Sequence, residues 1–356
     1  MHTGLAPNTT PQSGRAATPM AFVRSMLVAC TRLEHDPAAA LAVAQIAPSQ
    51  VAEPHARITA AQMERLSDQL MRELDDEALG WFTRRLPWGS YGMRARASIG
   101  APTLGVALHR WCRHHGLLTG DVRLTLESAP PTATVMLTEP APAPWLTGEL
   151  REFCHVSLLR NLLGLSSWLV DSRLPLLGVD LAFPAPPHAS AYAVLFAGPC
   201  RFDQPHTRLH LDASYLALPL RREEAALRQM LQRALPLTVH AYRKDRLLVG
   251  RVRQALATHP EASHSAEALA ALLHTSARSL HRQLKDEGAS LQALKDTVRR
   301  ERAEGLLLRT QRPLKQVAQA VGFQNEKSFI RAFKGWTGHT PAEHRSNGAA
   351  QGHPQA

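Results

Sequence analysis

The stretch Leu314-Lys315-Gln316-Val317-Ala318-Gln319-Ala320-Val321-Gly322-Phe323-Gln324-Asn325-Glu326-Lys327-Ser328-Phe329-Ile330-Arg331-Ala332-Phe333-Lys334 decides the reading of the C-terminal third of the chain. Leu314, Val317, Ala318 and Val321 fall on one helical face. Ala318 is small enough to let a second helix pack closely, and Gly322 supplies a turn conformation that other residues resist. Asn325 suits the N-cap of a following helix, on which Phe329 and Phe333, one turn apart, anchor against the first. Glu326, Lys327, Arg331 and Lys334 are left facing outward. The pattern is two short helices joined by a tight turn.

The pattern also occurs upstream, from Ser265 to Gly288. Leu269, Ala270 and Leu273 form a scaffold face, His274-Thr275 the turn, and Ser276 the cap of the next helix. Leu280 and Leu284 hold that helix in place, while Arg278, His281, Arg282 and Lys285 project from it. Long basic side chains on such a helix reach base edges in a major groove, where Arg pairs bidentately with guanine. Between the two copies, Ser290 to Arg309 reads as one linking helix that buries Leu291, Leu294, Val298, Ala303, Leu306 and Leu307. About twenty residues at 1.5 Å each span roughly 30 Å. That is close to the ~34 Å repeat of B-DNA, so both outward helices are spaced for successive grooves on one face. Gly305 lies inside this linker, costs about 1 kcal/mol relative to Ala, and marks a place for a bend.

Charge points the same way. Residues 1–240 hold 22 Arg, no Lys and 20 acidic residues, whereas residues 241–345 hold 19 Arg and Lys against 10 acidic ones, so most of the formal +11 sits there. A solvated basic surface is the competing reading, but charge concentrated on a duplicated helical pattern favours a polyanionic partner, double-stranded DNA.

Several dense motifs now make a family visible. Ser279-Leu280-His281-Arg282-Gln283-Leu284, Arg299 to Ala303 with Leu307-Leu308, Val317-Ala318, and Val321-Gly322-Phe323 stand in this order. They are followed by Ser328-Phe329-Ile330-Arg331-Ala332-Phe333-Lys334-Gly335-Trp336-Thr337-Gly338 and Thr340-Pro341. Over about a hundred residues this closely resembles the AraC/XylS family. The resemblance implies an all-α DNA-binding domain of two helix-turn-helix units joined by a linking helix. The family's base-contacting positions map to Arg278, His281 and Arg282 in the first unit, and to Glu326, Lys327 and Arg331 in the second. His344 departs from the pattern, standing where the family often has an aromatic after the proline.

Upstream, Pro87-Trp88-Gly89-Ser90-Tyr91-Gly92, Pro102-Thr103-Leu104-Gly105-Val106-Ala107-Leu108, Leu195-Phe196 and Arg201-Phe202 resemble the AraC-type arabinose-binding and dimerisation domain, over roughly residues 21–222. That resemblance implies a small-molecule effector of unspecified identity and a homodimer. As a regulator of promoter DNA the chain would also meet RNA polymerase if it activates.

The N-terminal region itself reads as α+β, with helices segregated from a small, mainly antiparallel sheet. Phe22, Val23, Met26, Leu27 and Cys30 sit at helical spacing; Leu27-Val28-Ala29-Cys30 resembles a lipoprotein cleavage site, but Arg24 and Ser25 break the apolar segment before it. Thr59 and Gln62 form a capping box ahead of Met63, Leu66, Leu70, Leu74 and Leu79, and a second apolar helix runs from about Thr103 to His115. Alternation at Val122-Leu126, Ala133–Thr138, Leu176–Phe183 and Arg208–Asp212 predicts strands, with a helix near 150–170 between them. Arg221 to Leu235 predicts a helix ending at Pro236. The expected division is a disordered tail at 1–18, an effector-binding domain at 19–235, a linker at 236–244, the DNA-binding domain at 245–346 and a disordered tail at 347–356.

Other chemistry finds little support. Cys30, Cys112, Cys154 and Cys200 form no CxxC pair, which suits a reducing cytoplasm, and no apolar run approaches the ~18 residues of a membrane span. His109, Cys112 and His115 recur every three residues, but the outer pair is nearly two turns apart and a fourth ligand is missing, so no metal is expected. Trp81, Phe82, Trp88 and Tyr91 are pocket candidates, with core packing the expected role of each. Gly-x-Ser-x-Gly elbows, phosphate loops, zinc motifs and dinucleotide fingerprints are lacking, so neither an enzyme nor a cofactor is expected. The alternative to a sequence-specific regulator is an architectural, nucleoid-like DNA binder.

Overall fold

A computed structural model describes residues 16–240, 242, 247–259, 265–287 and 289–351, with side chains to Ser346. The chain divides into two compact units, Met1–Asp245 and Arg246–Ala356. The expected tail at 1–18 falls almost wholly outside the described residues, as do residues 352–356, Gly288 and most of 241–246.

The N-terminal unit mixes helices and strands. Strand β1 (Thr18–Pro19) pairs with β2 (Arg57–Ile58) in a small ribbon beside the first helix, Met20–Arg32. That helix buries Phe22, Val23, Met26 and Cys30, the face its apolar spacing picks out. The main sheet contains β3 (Arg123–Ala129), β4 (Thr132–Thr138), β5 (Leu176–Asp180), β6 (Cys200–Arg201) and β7 (Thr207–Asp212), in the order β3-β4-β7-β5-β6. Every pairing except β5 with β6 is antiparallel. Register places Leu126 opposite Val135, Val135 opposite Leu209, and Leu209 opposite Val179, so one apolar row crosses four strands. Val135, Leu209 and Val179 are fully buried. The helix Leu104–Leu118 packs on β3.

The longest helix, Gly148–Leu169, is buried around most of its circumference, which explains why no amphipathic stripe stands out in its sequence. At Gly164 the chain comes very close: a Cβ built there would lie 2.0 Å from the Leu237 carbonyl oxygen. Pro236–Val239 is accordingly a helical turn packed on the long helix, not the start of a free linker. The preceding helix is also shorter than its sequence suggests, Glu224–Leu231. Its first two expected residues are tied elsewhere: the Arg221 amide donates to Leu169 O at 2.7 Å, and Arg222 pairs with Asp171. Strand β5 likewise stops at Asp180 instead of Phe183, where Leu181 N donates to Arg201 O beyond the ladder.

The C-terminal unit is helical throughout its described residues: Leu248–Thr258, Ala266–Leu272, Ala277–Asp286, Leu291–Arg309, Leu314–Ala320, Glu326–Thr337 and Pro341–Gln351. The last helix enters the stretch expected to be a tail; Glu343 closes its start by accepting the Thr340 amide at 2.7 Å, and Ala349 and Ala350 are strong helix formers. Leu291–Arg309 is continuous through Gly305.

Candidate functional site

The site is best built from the turn outward. In the second helix pair, Gly322 takes φ +83° and Phe323 N donates to Ala318 O at 2.9 Å, so the chain reverses directly beneath the small Ala318. Asn325 then caps Glu326–Thr337 by accepting the Ser328 amide at 2.8 Å. Phe329 and Phe333 are fully buried with Val317, Ala318, Val321, Ala303 and Leu307. His344 packs edge-on against Phe333, ring centroids 5.4 Å apart, and so fills the place of an aromatic. With one face fixed, Lys327, Arg331 and Lys334 are exposed and Glu326 is half-buried. Glu326 stands in the first turn, where the helix dipole favours a carboxylate.

The first pair repeats this build. Thr275 N donates to Ala270 O at 2.9 Å, the counterpart of the Phe323–Ala318 bond, and His274 takes the left-handed conformation at φ +54° that Gly322 takes in the second. Ser265 and Ser276 cap the two helices, accepting the amides of Ala268 at 2.9 Å and Ser279 at 3.1 Å. Leu269, Leu280 and Leu284 are fully buried. Arg278, His281, Arg282 and Lys285 are all exposed on the second helix of the pair.

Several basic residues of this unit serve its scaffold. Arg253 pairs with Glu301 at 2.9 Å, Arg299 lies 5.0 Å above the Phe323 ring, and Arg345 donates to Arg312 O at 2.7 Å. These hold helices together. Glu287, a residue the sequence did not single out, caps Leu248–Thr258 by accepting the amides of Leu248 and Val249 at 2.7 and 2.9 Å. By contrast, among the described residues Arg278, Arg282, Lys285, Lys327, Arg331 and Lys334 have no acidic partner within ion-pair distance. Exposed, unneutralised cations on the second helix of each pair are what a polyanion requires.

The N-terminal unit carries a cleft of about 510 Å³, lined by Ala60–Glu73, Ser90–Ile99 and the segment 231–238. All four singled-out aromatics, Trp81, Phe82, Trp88 and Tyr91, reach its wall, although Trp81 and Phe82 also pack into the core. Glu64 meets Arg233 at 2.5 Å, and Arg72 pairs with Asp68 at 3.0 Å while lying over the Trp88 ring. Deeper in, the Glu77 carboxylate accepts the amides of Gly89 at 2.7 Å and Tyr91 at 2.6 Å, and burial raises its pKa. Arg94 is buried, stacks over Trp111 at 4.2 Å and donates to His115 Nδ1 at 3.0 Å. Burial lowers Arg94 to about 10 and, with the Arg94 charge beside it, lowers His115 to about 3. His115 is thus a neutral acceptor for Arg94, and His109 is exposed on the same helix while Cys112 and His115 are buried. No group of three or more side chains suited to a metal occurs among the described residues. Glu64, Glu77, Arg94 and Arg233 were invisible as a set in the sequence, because three distant segments bring them together.

Comparison with known proteins agrees with this architecture. Residues 35–220 match the family described as the arabinose-binding domain of AraC transcription regulator, N-term, and residues 269–347 match a helix-turn-helix domain family. The ornithine utilization regulator of Pseudomonas aeruginosa is 28% identical over 328 residues, covering 92% of this chain and 96% of that protein. The HTH-type transcriptional regulator VqsM of the same organism is 32% identical over 97 residues, 27% of this chain and 30% of its own. The crystal structure of transcriptional regulator CdpR from Pseudomonas aeruginosa covers 92% of this chain and 98% of its own, with 20% identity and a TM-score of 0.30. The protein is a DNA-binding transcription regulator. It belongs to the AraC family, with that family's arabinose-binding-type domain at its N-terminus.

Proposed function

We propose that the chain is a sequence-specific transcription factor whose affinity for promoter DNA is set by a small molecule held in the N-terminal cleft. In this reading the helix pairs 266–286 and 314–337 are two helix-turn-helix units, and Leu291–Arg309, about 28 Å long, spaces them along the duplex. Arg278, His281, Arg282 and Lys285 serve the first recognition helix; Glu326, Lys327 and Arg331 serve the second, where Glu326 accepts from cytosine N4. The observation that carries this is the set of exposed cations without acidic partners among the described residues on the second helix of each pair, Arg278, Arg282 and Lys285 in the first and Lys327, Arg331 and Lys334 in the second; Arg302, Arg309, Arg312 and Lys315 add exposed positive charge outside those helices. The chain acts as a homodimer in the cytoplasm, on adjacent half-sites, touching RNA polymerase where it activates.

A selection from a random duplex library with the full-length protein, followed by genome-wide occupancy, tests this. Recovery of one motif with two parts about one helical turn apart, and occupancy at few loci, supports it. Uniform recovery and occupancy everywhere would instead make the chain an architectural binder.

A further inference from the structure

Three donors in the N-terminal cleft lack a hydrogen-bond partner although each is buried: Arg94 Nε, the Tyr91 hydroxyl and Trp81 Nε1. All three residues line the same cleft. Tyr91 and Arg94 are one turn apart on the helix Ser90–Ile99 and both pack on the Trp111 ring, Tyr91 at 5.3 Å between centroids and Arg94 at 4.2 Å, so one indole holds both side chains at the same corner of the cleft. Arg94 is 4% exposed, yet among the described residues no carboxylate approaches it within 4.0 Å. Its Nη1 bond goes to a neutral imidazole, and the nearby Glu77 has both oxygens engaged by backbone amides. Burying a guanidinium with no carboxylate in hydrogen-bond reach, on the same helix as an unmet hydroxyl donor, is costly in a folded chain.

We propose that the Arg94–Tyr91 corner of the cleft is the anchoring subsite for the carboxylate of a small organic acid. The guanidinium takes one carboxylate oxygen through Nε–H, a charge-assisted bond. The Tyr91 hydroxyl donates to the second oxygen; burial raises its pKa, so it carries its proton at neutral pH. Trp81 Nε1 remains for a further acceptor on the ligand. Trp81, Phe82 and Trp88 supply an aromatic wall for the acid's apolar body. Of the cleft's other arginines, Arg233 is held by Glu64, Arg72 by Asp68 and Arg96 by Glu224, whereas Arg65 has no acidic partner among the described residues but is only half-buried and so keeps access to water. This assignment rests on the proposed effector role of the cleft and specifies its ligand class.

The test uses the full-length protein and three matched pairs: benzoate, phenylacetate and hexanoate against benzamide, phenylacetamide and hexanamide. Thermal shift and calorimetry should show stabilisation by at least one acid and none by its amide. Tyr91→Phe removes only an unpartnered hydroxyl, so the unliganded melting temperature should hold or rise while acid binding weakens about tenfold. Stabilisation by amides equal to that by acids, no response to any acid, or a Tyr91→Phe variant that melts lower but binds acid unchanged would each overturn the assignment. Promoter affinity separates the two readings. If an acid binds through Tyr91 without changing DNA affinity, the subsite stands and the effector role falls. If a neutral compound alone alters DNA affinity, the effector role stands and the carboxylate subsite falls.

Discussion

Salt dependence puts the open cations of the two outward helices to a quantitative test. Each phosphate neutralised by a protein cation contributes about −0.9 to the slope of log affinity against log salt concentration. Arg278, Arg282, Lys285, Lys327, Arg331 and Lys334 are exposed and free of acidic partners among the described residues. If all of them neutralise phosphates, the slope is about −5 per bound chain, and affinity falls by about three orders of magnitude between roughly 50 and 200 mM salt. Lys334→Ala should flatten the slope by about 0.9. Arg253→Ala should leave it unchanged, because Arg253 is engaged with Glu301 at 2.9 Å on the scaffold. Fluorescence anisotropy with the selected duplex across a salt series measures both. A wild-type slope shallower than about −2, or an Arg253→Ala slope flattened as much as that of Lys334→Ala, would refute the assignment of these helices to the duplex.

Arg282→Ala or Arg331→Ala should relax preference at particular bases by about 1–3 kcal/mol if each arginine grips a guanine bidentately; a loss uniform across binding-site variants would mark a phosphate contact. Asn325→Ala removes the acceptor for the Ser328 amide and should cost about 1 kcal/mol, read as a lower melting temperature. Gly164→Ala places a Cβ against the Leu237 carbonyl, so it should destabilise the N-terminal unit by about 1–3 kcal/mol and quicken proteolysis after Pro236. Burial raises the Glu139 pKa, but hydrogen bonds from His155 at 2.6 Å and Arg151 at 2.8 Å outweigh it and lower the group from 4.5 to about 2. A depressed carboxylate stabilises the fold fully above its unfolded pKa, and that stability drains as pH falls toward about 2. Glu139→Gln should therefore flatten the acid limb of a melting-temperature profile.

The C-terminal unit was legible because its determinants are local. Ala318, Gly322, Asn325, Phe329 and Phe333 lie within sixteen residues, and each acts on a neighbour one or two turns away. The first copy was legible by analogy, although its turn carries His274 in the left-handed position instead of glycine. The capping box at Thr59 was readable for the same reason and forms as expected, with Gln62 N to Thr59 Oγ1 at 3.2 Å and Thr59 N to Gln62 Oε1 at 3.0 Å. What escaped depends on distant partners. Nothing near Pro236 announces that Gly164, more than seventy positions earlier, leaves room for it. Arg94 in sequence is one arginine among many; only its burial beside Trp111 and His115 distinguishes it. The aromatics were noticed as residues, but a cleft is a property of the gaps between elements.

The position of the cleft constrains how a ligand in it acts. Binding shifts an equilibrium only by the difference in affinity between two states, and about 5.5 kcal/mol is needed to carry a population from 1:99 to 99:1. If the donors on Ser90–Ile99 hold one end of a ligand as proposed, the difference between states would have to arise at another wall of the cleft. The segment 231–238 lines the cleft through Leu231, Arg233, Leu235 and Thr238 and is tied to the core by Arg233 to Glu64, by Arg160 donating to Thr238 O at 2.8 Å, by Thr238 Oγ1 to Asn161, and by Leu237 packed at Gly164. It is also the last part of the N-terminal unit before the chain enters residues 241–246 and the C-terminal unit. On the proposed reading, a ligand that seats Leu231 and Leu235 against its apolar body would act on the last described segment of the N-terminal unit, and no longer-range wire through the sheet would be required.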